Sequence, residues 1–106
     1  MKIPKKVRIS GVDYTVIDVP DLNDGVSVCY GRIDFENSMI KLNPDILGHQ
    51  KMCCTLWHEI IHGIVEAANM SIEEADEETI VDTIAKGVYQ VLQDNGKALF
   101  DLYEGD

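Results

Sequence analysis

Apolar and polar residues alternate in the N-terminal part of the chain in a pattern that predicts short β-strands. The alternation covers 5–10 and, less regularly, 12–18, and Gly11 between them indicates either one bulged strand or a tight hairpin. Two more strands are predicted over 26–35 and 39–43. Because short turns join these strands and no βαβ unit is present, we expect a short antiparallel meander rather than a parallel sheet.

Farther along the chain, the spacing of the apolar residues changes to that of helices. One helix is predicted over about 49–69 and a second over about 72–94. Ser71 and Glu74 form a capping-box pattern at the start of the second helix, and the turn residues 94–96 mark its end. The second helix carries its apolar residues on one side, so we expect that side to pack on the first helix or on the sheet. A small sheet followed by two long helices predicts an α+β fold.

The first predicted helix contains a His-Glu-x-x-His motif formed by His58, Glu59 and His62. Residues four apart lie on the same face of a helix, so the two imidazoles can bind one metal ion. Two neutral imidazoles suit Zn²⁺, and Glu59 is close enough to hold a water on that metal. Apolar neighbours such as Trp57 and Ile60 suggest a buried helix, in which His and Glu need partners that a metal supplies. The same motif is shared by zinc metalloproteases, and it predicts a catalytic zinc site.

Two histidines cannot complete a zinc site, so we expect a third protein ligand on the second helix. We choose Glu78 because Asp82, four residues later on the same face, can accept a hydrogen bond from a ligand imidazole and fix its tautomer. Glu77 is the alternative, since it lies nearer to the middle of the apolar side of the helix. Cys54, four residues before His58, is either a further ligand that closes a structural site or a small buried residue, and the second interpretation is favoured.

Composition limits the partners and the compartment. The 106 residues are expected to form one domain, 1–106, and their formal net charge is −10. So acidic a chain lacks the basic face that nucleic acids or anionic membranes require, and we expect neither as a partner. No apolar run approaches the ~20 residues of a membrane span, and no apolar signal core follows the charged N-terminus. The three cysteines have no disulfide-framework spacing, so we expect a cytoplasmic protein.

The motif and the acidic residues after it resemble the gluzincin arrangement. More narrowly, the chain is similar to the small zincins encoded by phages and prophages and related to the ImmA/IrrE metallopeptidases. In that family the ligand Glu is followed at four residues by Asn or Asp and at seven by Ala. Here Glu78 is followed by Asp82 and Ala85 at those positions.

The resemblance extends over nearly the whole chain. Segments 11–16, 30–34 and 39–43 are similar to the strands that precede the active-site helix in this family. The chain has no helix-turn-helix segment, and we expect no further C-terminal domain of the kind found in the larger relatives. This difference argues against a regulatory role that involves a repressor substrate.

The resemblance implies a minimal zincin fold with a specific catalytic site. In it, His58, His62 and Glu78 hold Zn²⁺ with a water in the fourth position. Glu59 takes a proton from this water and later passes it to the leaving amine. The resemblance also implies that a peptide or protein substrate adds as another strand along 39–43, at the edge of the sheet.

Two functions follow from these observations. The first is a zinc-dependent metallopeptidase, indicated by the intact Glu59 beside two metal ligands. The second is a non-catalytic zincin-fold module that binds a partner protein and uses zinc structurally, indicated by the small size and the acidic charge. An oxyanion-binding residue is also not evident, since Tyr30, Tyr89 and His49 are each better explained as structural.

Overall fold

The computed structural model describes residues 3–45 and 48–102, apart from the side chain of His49. This part of the chain forms a four-stranded sheet followed by two helices, which confirms the α+β class. The strands are β1 (Lys6–Ile9), β2 (Val12–Asp18), β3 (Gly31–Asp34) and β4 (Met39–Leu42), and the helices are α1 (His49–Ala67) and α2 (Glu77–Phe100).

The four strands form one mixed sheet in the order β1-β2-β4-β3, so the predicted antiparallel meander is wrong. β2 and β4 run parallel, with Val16 opposite Ile40, while the other two pairs of strands are antiparallel. Parallel strands need a long connection, and the segment 19–38 supplies one that contains β3 in place of a helix. Because Ile40 and Leu42 are fully buried, the apolar β4 lies inside the sheet and the more polar β3 lies at its edge.

Strand pairing covers only the second half of the segment predicted as a strand over 26–35. In the first half, the Asp24 carboxylate accepts hydrogen bonds of 2.8 Å from the backbone N–H groups of both Val26 and Ser27. These bonds form a tight turn, and Val26 is 94% exposed at its tip. The hydrogen bonds of the Asp24 side chain therefore favour a turn here, although the neighbouring valines favour a β-strand.

α2 begins and ends later than the sequence predicted. Asp76, and not Ser71, is the N-cap residue, and its carboxylate accepts a hydrogen bond of 2.8 Å from the Thr79 backbone N–H. The helix also continues through the predicted end, where Asn95 makes two hydrogen bonds of 2.7 Å with the backbone N–H and carbonyl of Arg8 in β1. Asn95 therefore joins α2 to the sheet instead of ending the helix.

One hydrophobic core lies between the inner face of the sheet and the two helices. Its fully buried members come from β1, β4 and both helices, and include Val7, Ile9, Ile40, Leu42, Leu56, Ile60, Val91 and Leu99. In the part of the chain described here, no helix is both long enough and apolar enough to cross a membrane.

The two helices run antiparallel and meet on the side of α1 that carries Ile64. Gly87 of α2 lies against the Ile64 side chain, and a Cβ at position 87 would overlap Cγ2 of Ile64 and come within 3.0 Å of its Cγ1 and 3.1 Å of its Cδ1. Ala67, near the end of α1, borders the same cleft as Thr83, near the start of α2. Glycine at position 87 therefore allows the close approach that fixes where α2 lies on α1.

Candidate functional site

His58 and His62 lie one turn apart on α1, and their imidazoles converge. The two Nε2 atoms are 3.1 Å apart, and the ring centroids are 4.8 Å apart with an angle of 70° between the planes. Two Zn–N bonds at a tetrahedral angle would place the nitrogens about 3.3 Å apart. Both side chains are exposed, so the pair fits two donors of a metal site that solvent can reach.

Glu59 is buried next to this pair, with 6% of its surface exposed. Burial raises the pKa of its carboxyl above the ordinary value of 4.5, whereas nearby His58 and His62 and a hydrogen bond from the Ile33 backbone N–H act in the opposite direction. Because Ile33 belongs to β3, the edge strand of the sheet contacts the candidate base directly.

An open cleft of about 520 Å³ lies between α1, the start of β3 and the loop that precedes β3. Gly31 is needed where β3 approaches α1, because a Cβ there would be 2.6 Å from Cγ2 of Thr55 and 3.2 Å from the carbonyl oxygen of Lys41. Cys54 is exposed here, so its interpretation as a buried residue is wrong. The residues that line the cleft are Val28, Tyr30, Gly31, Cys54, Thr55, His58 and Glu59.

The structure does not bring Glu78 or Glu77 to the histidine pair. Among residues 3–45 and 48–102, no three His, Cys, Asp or Glu side chains lie together as a group that could hold a metal ion. Ile64, which faces α2, follows His62 by two residues and therefore points about 160° away from it around the helix axis. α2 thus packs on the side of α1 that is nearly opposite to His62.

The position along α2 separates Glu78 from the histidines further. Glu78 precedes Gly87 by about two and a half turns, or roughly 13 Å along the helix. Since the helices are antiparallel, Glu78 lies past the C-terminal end of α1 and away from His62. The Asp82 carboxylate is 3.0 Å from Nζ of Lys86 on its own helix. Asp82 thus has its partner on its own helix in this structure, and its contact with a ligand imidazole stays a prediction.

The predicted substrate-binding edge also changes. β4, which corresponds to the segment 39–43, pairs with β2 on one side and with β3 on the other, so it is not an edge strand. A peptide cannot add along it without displacing a neighbour. The edge that contacts Glu59 belongs to β3 instead.

Sequence analysis did not single out Gly31 or Ile33 as site residues. A glycine inside a predicted strand often marks a close backbone approach, and this signal could have identified Gly31. Of the three oxyanion candidates, Tyr30 lines the cleft, Tyr89 is exposed on α2, and the side chain of His49 lies outside the described part of the chain.

Comparisons of the chain with protein-family models, with curated proteins and with solved structures give no match. The function is therefore inferred from the residues and from their geometry.

Proposed function

We propose that the chain is a zinc-dependent metallopeptidase in which His58 and His62 bind the metal and Glu59 is the general base. The main support is the convergence of the two Nε2 atoms, 3.1 Å apart, beside a buried carboxylate. The order of these residues on one helix is that of the zinc metalloprotease motif. An edge strand and an open cleft adjoin the same residues.

The roles of the residues follow from their surroundings. When bound, zinc supplies Lewis-acid activation of a water and of a carbonyl oxygen. A carboxylate oxygen of Glu59 accepts the proton that the water loses, and burial raises the pKa of this carboxyl above its ordinary value, which makes the carboxylate a stronger base.

The substrate in this proposal is an extended peptide segment that pairs with the outer edge of β3. Main-chain hydrogen bonds to an edge strand provide affinity without sequence preference. A peptide in this position would pass the cleft beside His58 and Glu59. β3 therefore replaces 39–43 as the proposed docking strand.

The third protein ligand stays a prediction. Binding through Glu78 would require the start of α2 to move relative to α1, because Glu78 lies past the C-terminal end of α1 and away from the histidines. The same separation favours the second function, a non-catalytic module that binds a partner protein. Metal content and catalysis therefore have to be tested separately.

Metal content can be measured by elemental analysis of the wild type and of three variants, His58→Ala, Glu78→Ala and Glu77→Ala. We expect close to one zinc per chain in the wild type, with loss in His58→Ala. Loss in Glu78→Ala together with retention in Glu77→Ala would identify Glu78 as the third ligand. Retention in Glu78→Ala would remove that residue from the ligand set. A wild type without zinc would contradict the peptidase proposal.

Catalysis can be tested with a Glu59→Gln variant, which keeps the shape of the side chain and removes its basic oxygen. We expect the wild type to hydrolyse an unfolded protein in the presence of zinc and the variant to be inactive. Equal behaviour of the two proteins, each with bound zinc, would support the non-catalytic binding module.

A further inference from the structure

The loop before β3, residues 22–30, carries apolar side chains that the core does not use. Val28 is 60% exposed and Tyr30 is 55% exposed, yet both line the cleft beside His58 and Glu59. Exposed apolar residues that converge on a candidate catalytic site can contribute to ligand binding.

Hydrogen bonds hold this loop in one shape. The Cys29 backbone N–H donates to the carbonyl oxygen of Leu22 at 2.9 Å, and Asn23 and Val28 form an isolated β-bridge. Leu22 is buried, so the start of the loop is anchored in the body of the protein. The apolar wall is therefore positioned before a ligand arrives, which reduces the entropy cost of binding.

The end of the loop is fixed by Asn43, which is 1% exposed. Its backbone N–H donates to the carbonyl oxygen of Tyr30 at 2.9 Å, and its side-chain Nδ2 donates to that of Cys29 at 3.2 Å. Asn43 directly follows β4, so the loop and the sheet form one unit at this point. Tyr30 in turn precedes β3, the proposed docking strand.

We propose that Val28 and Tyr30 form the wall of a subsite that selects an apolar side chain of an extended peptide. The inference rests on the proposed function, because the peptide is the substrate that would lie along β3. A side chain that points from such a peptide into the cleft meets the valine methyl groups and the tyrosine ring on one side. On the other side it meets the Thr55 and Cys54 side chains of α1. Segments of unfolded protein supply such residues, whereas a uniformly polar peptide does not.

The test compares two N-acetylated, C-amidated pentapeptides, Gly-Ala-Leu-Ala-Gly and Gly-Ala-Asn-Ala-Gly, whose central side chains have similar shapes. Binding to the full chain with zinc present is measured by NMR titration. We expect the leucine peptide to bind roughly 10-fold more tightly than the asparagine peptide, as for an apolar group that enters an apolar subsite. Equal affinities would overturn the proposal.

Two variants with the same change in charge show whether the preference for leucine depends on Val28. Val28→Asp is expected to abolish the preference for leucine, whereas Val26→Asp, in the same loop at a position that is 94% exposed and outside the cleft lining, is expected to keep it. If both variants lose the preference equally, the subsite is not at Val28. Val28→Thr, which changes one methyl group to a hydroxyl, replaces Val28→Asp if the latter does not fold, and it should weaken the preference.

Cleavage of the leucine peptide separates this inference from the proposed function. Binding with a Val28-dependent preference but without cleavage would refute the peptidase and retain the subsite. Cleavage that stops in Glu59→Gln but shows no preference for leucine would support the peptidase and refute the subsite.

Discussion

The contact between Gly87 and Ile64 gives the sharpest test of how α2 lies on α1. Alanine is favoured over glycine inside a helix by about 0.8–1.0 kcal/mol, so Gly87→Ala would be stabilising if the position were open. Its new methyl group would instead overlap Cγ2 of Ile64 and crowd its Cγ1 and Cδ1 at about 3 Å. Such overpacking costs about 1–3 kcal/mol, so the net effect is a loss of up to ~2 kcal/mol.

Gly96→Ala is the matched control, because Gly96 lies on the same helix and a Cβ there would have no neighbour within 4 Å. We expect this variant to be more stable than the wild type by up to ~1 kcal/mol. The helix-propensity gain is nearly the same in both variants, so their difference in the free energy of unfolding is the overpacking cost, about 1–3 kcal/mol. For a domain of this size, that difference corresponds to at least ~4 °C in melting temperature.

The assay is urea unfolding followed by the far-UV circular dichroism of the helices, with Ile64→Ala added in a double-mutant cycle. Ile64 is 3% exposed, and its truncation alone should cost about 2–5 kcal/mol. Combined with Gly87→Ala, it removes the crowded atoms, so the double variant should be about 1–3 kcal/mol more stable than additivity predicts.

A result in which Gly87→Ala and Gly96→Ala stabilise equally would refute the reasoning. α2 would then not dock through Gly87, and the separation of Glu78 from His62 would lose its basis. The packing experiment therefore also bears on the metal ligands.

Three further outcomes are expected. Asn43→Ala should cost about 1–3 kcal/mol in urea unfolding, because it removes a buried side chain and leaves the part-buried carbonyl of Cys29 without its side-chain donor. An unchanged midpoint would contradict this. Glu59→Gln should raise the melting temperature in EDTA at neutral pH, since burial raises the pKa of Glu59 and penalises its charge. That advantage should vanish below its ordinary pKa of 4.5, and a constant difference from pH 3 to 8 would count against it. Hydrogen bonds from Thr79 lower the pKa of Asp76, so the wild type should be more stable than Asp76→Ala above about pH 4. The wild type should lose this advantage as the pH falls through the lowered pKa of Asp76. Melting curves of both proteins from pH 2 to 7 would show whether it does.

The periodicity of the sequence predicted which kinds of element follow one another along the chain. It did not predict the bounds of α2, the turn in the first half of 26–35, or the pairing of the strands. Alternation predicted β1, β2 and β4, and helical spacing placed the His-Glu-x-x-His motif within α1. Alternation reports which face of a strand is buried, but it does not report which strand lies beside it. The parallel pairing of β2 with β4 therefore could not be read from the pattern.

The same limit applies to the candidate site. Residues four apart on one helix must share a face, so the meeting of His58 and His62 followed from local geometry. The prediction of Glu78 as a ligand depended on the side of α1 on which α2 packs. The contact of Ile64 with Gly87, which is far from the motif in sequence, decides that side. Local spacing predicted the pair, but tertiary packing decides the third donor.

Because hydrogen bonds hold the two ends of the 22–30 loop, the sequence at its tip can be changed without loss of these bonds. Asn23 and Val28 pair below the tip 24–27, and Asn43 holds Tyr30 from the sheet side. Extra residues inserted at the tip would leave these anchors in place, and each doubling of loop length costs only ~0.6 kcal/mol in closure entropy. Insertions can therefore extend the loop beside the cleft while the helices and the sheet keep their packing. Loop grafting at this tip could therefore add new contacts next to the existing cleft on a scaffold of about a hundred residues.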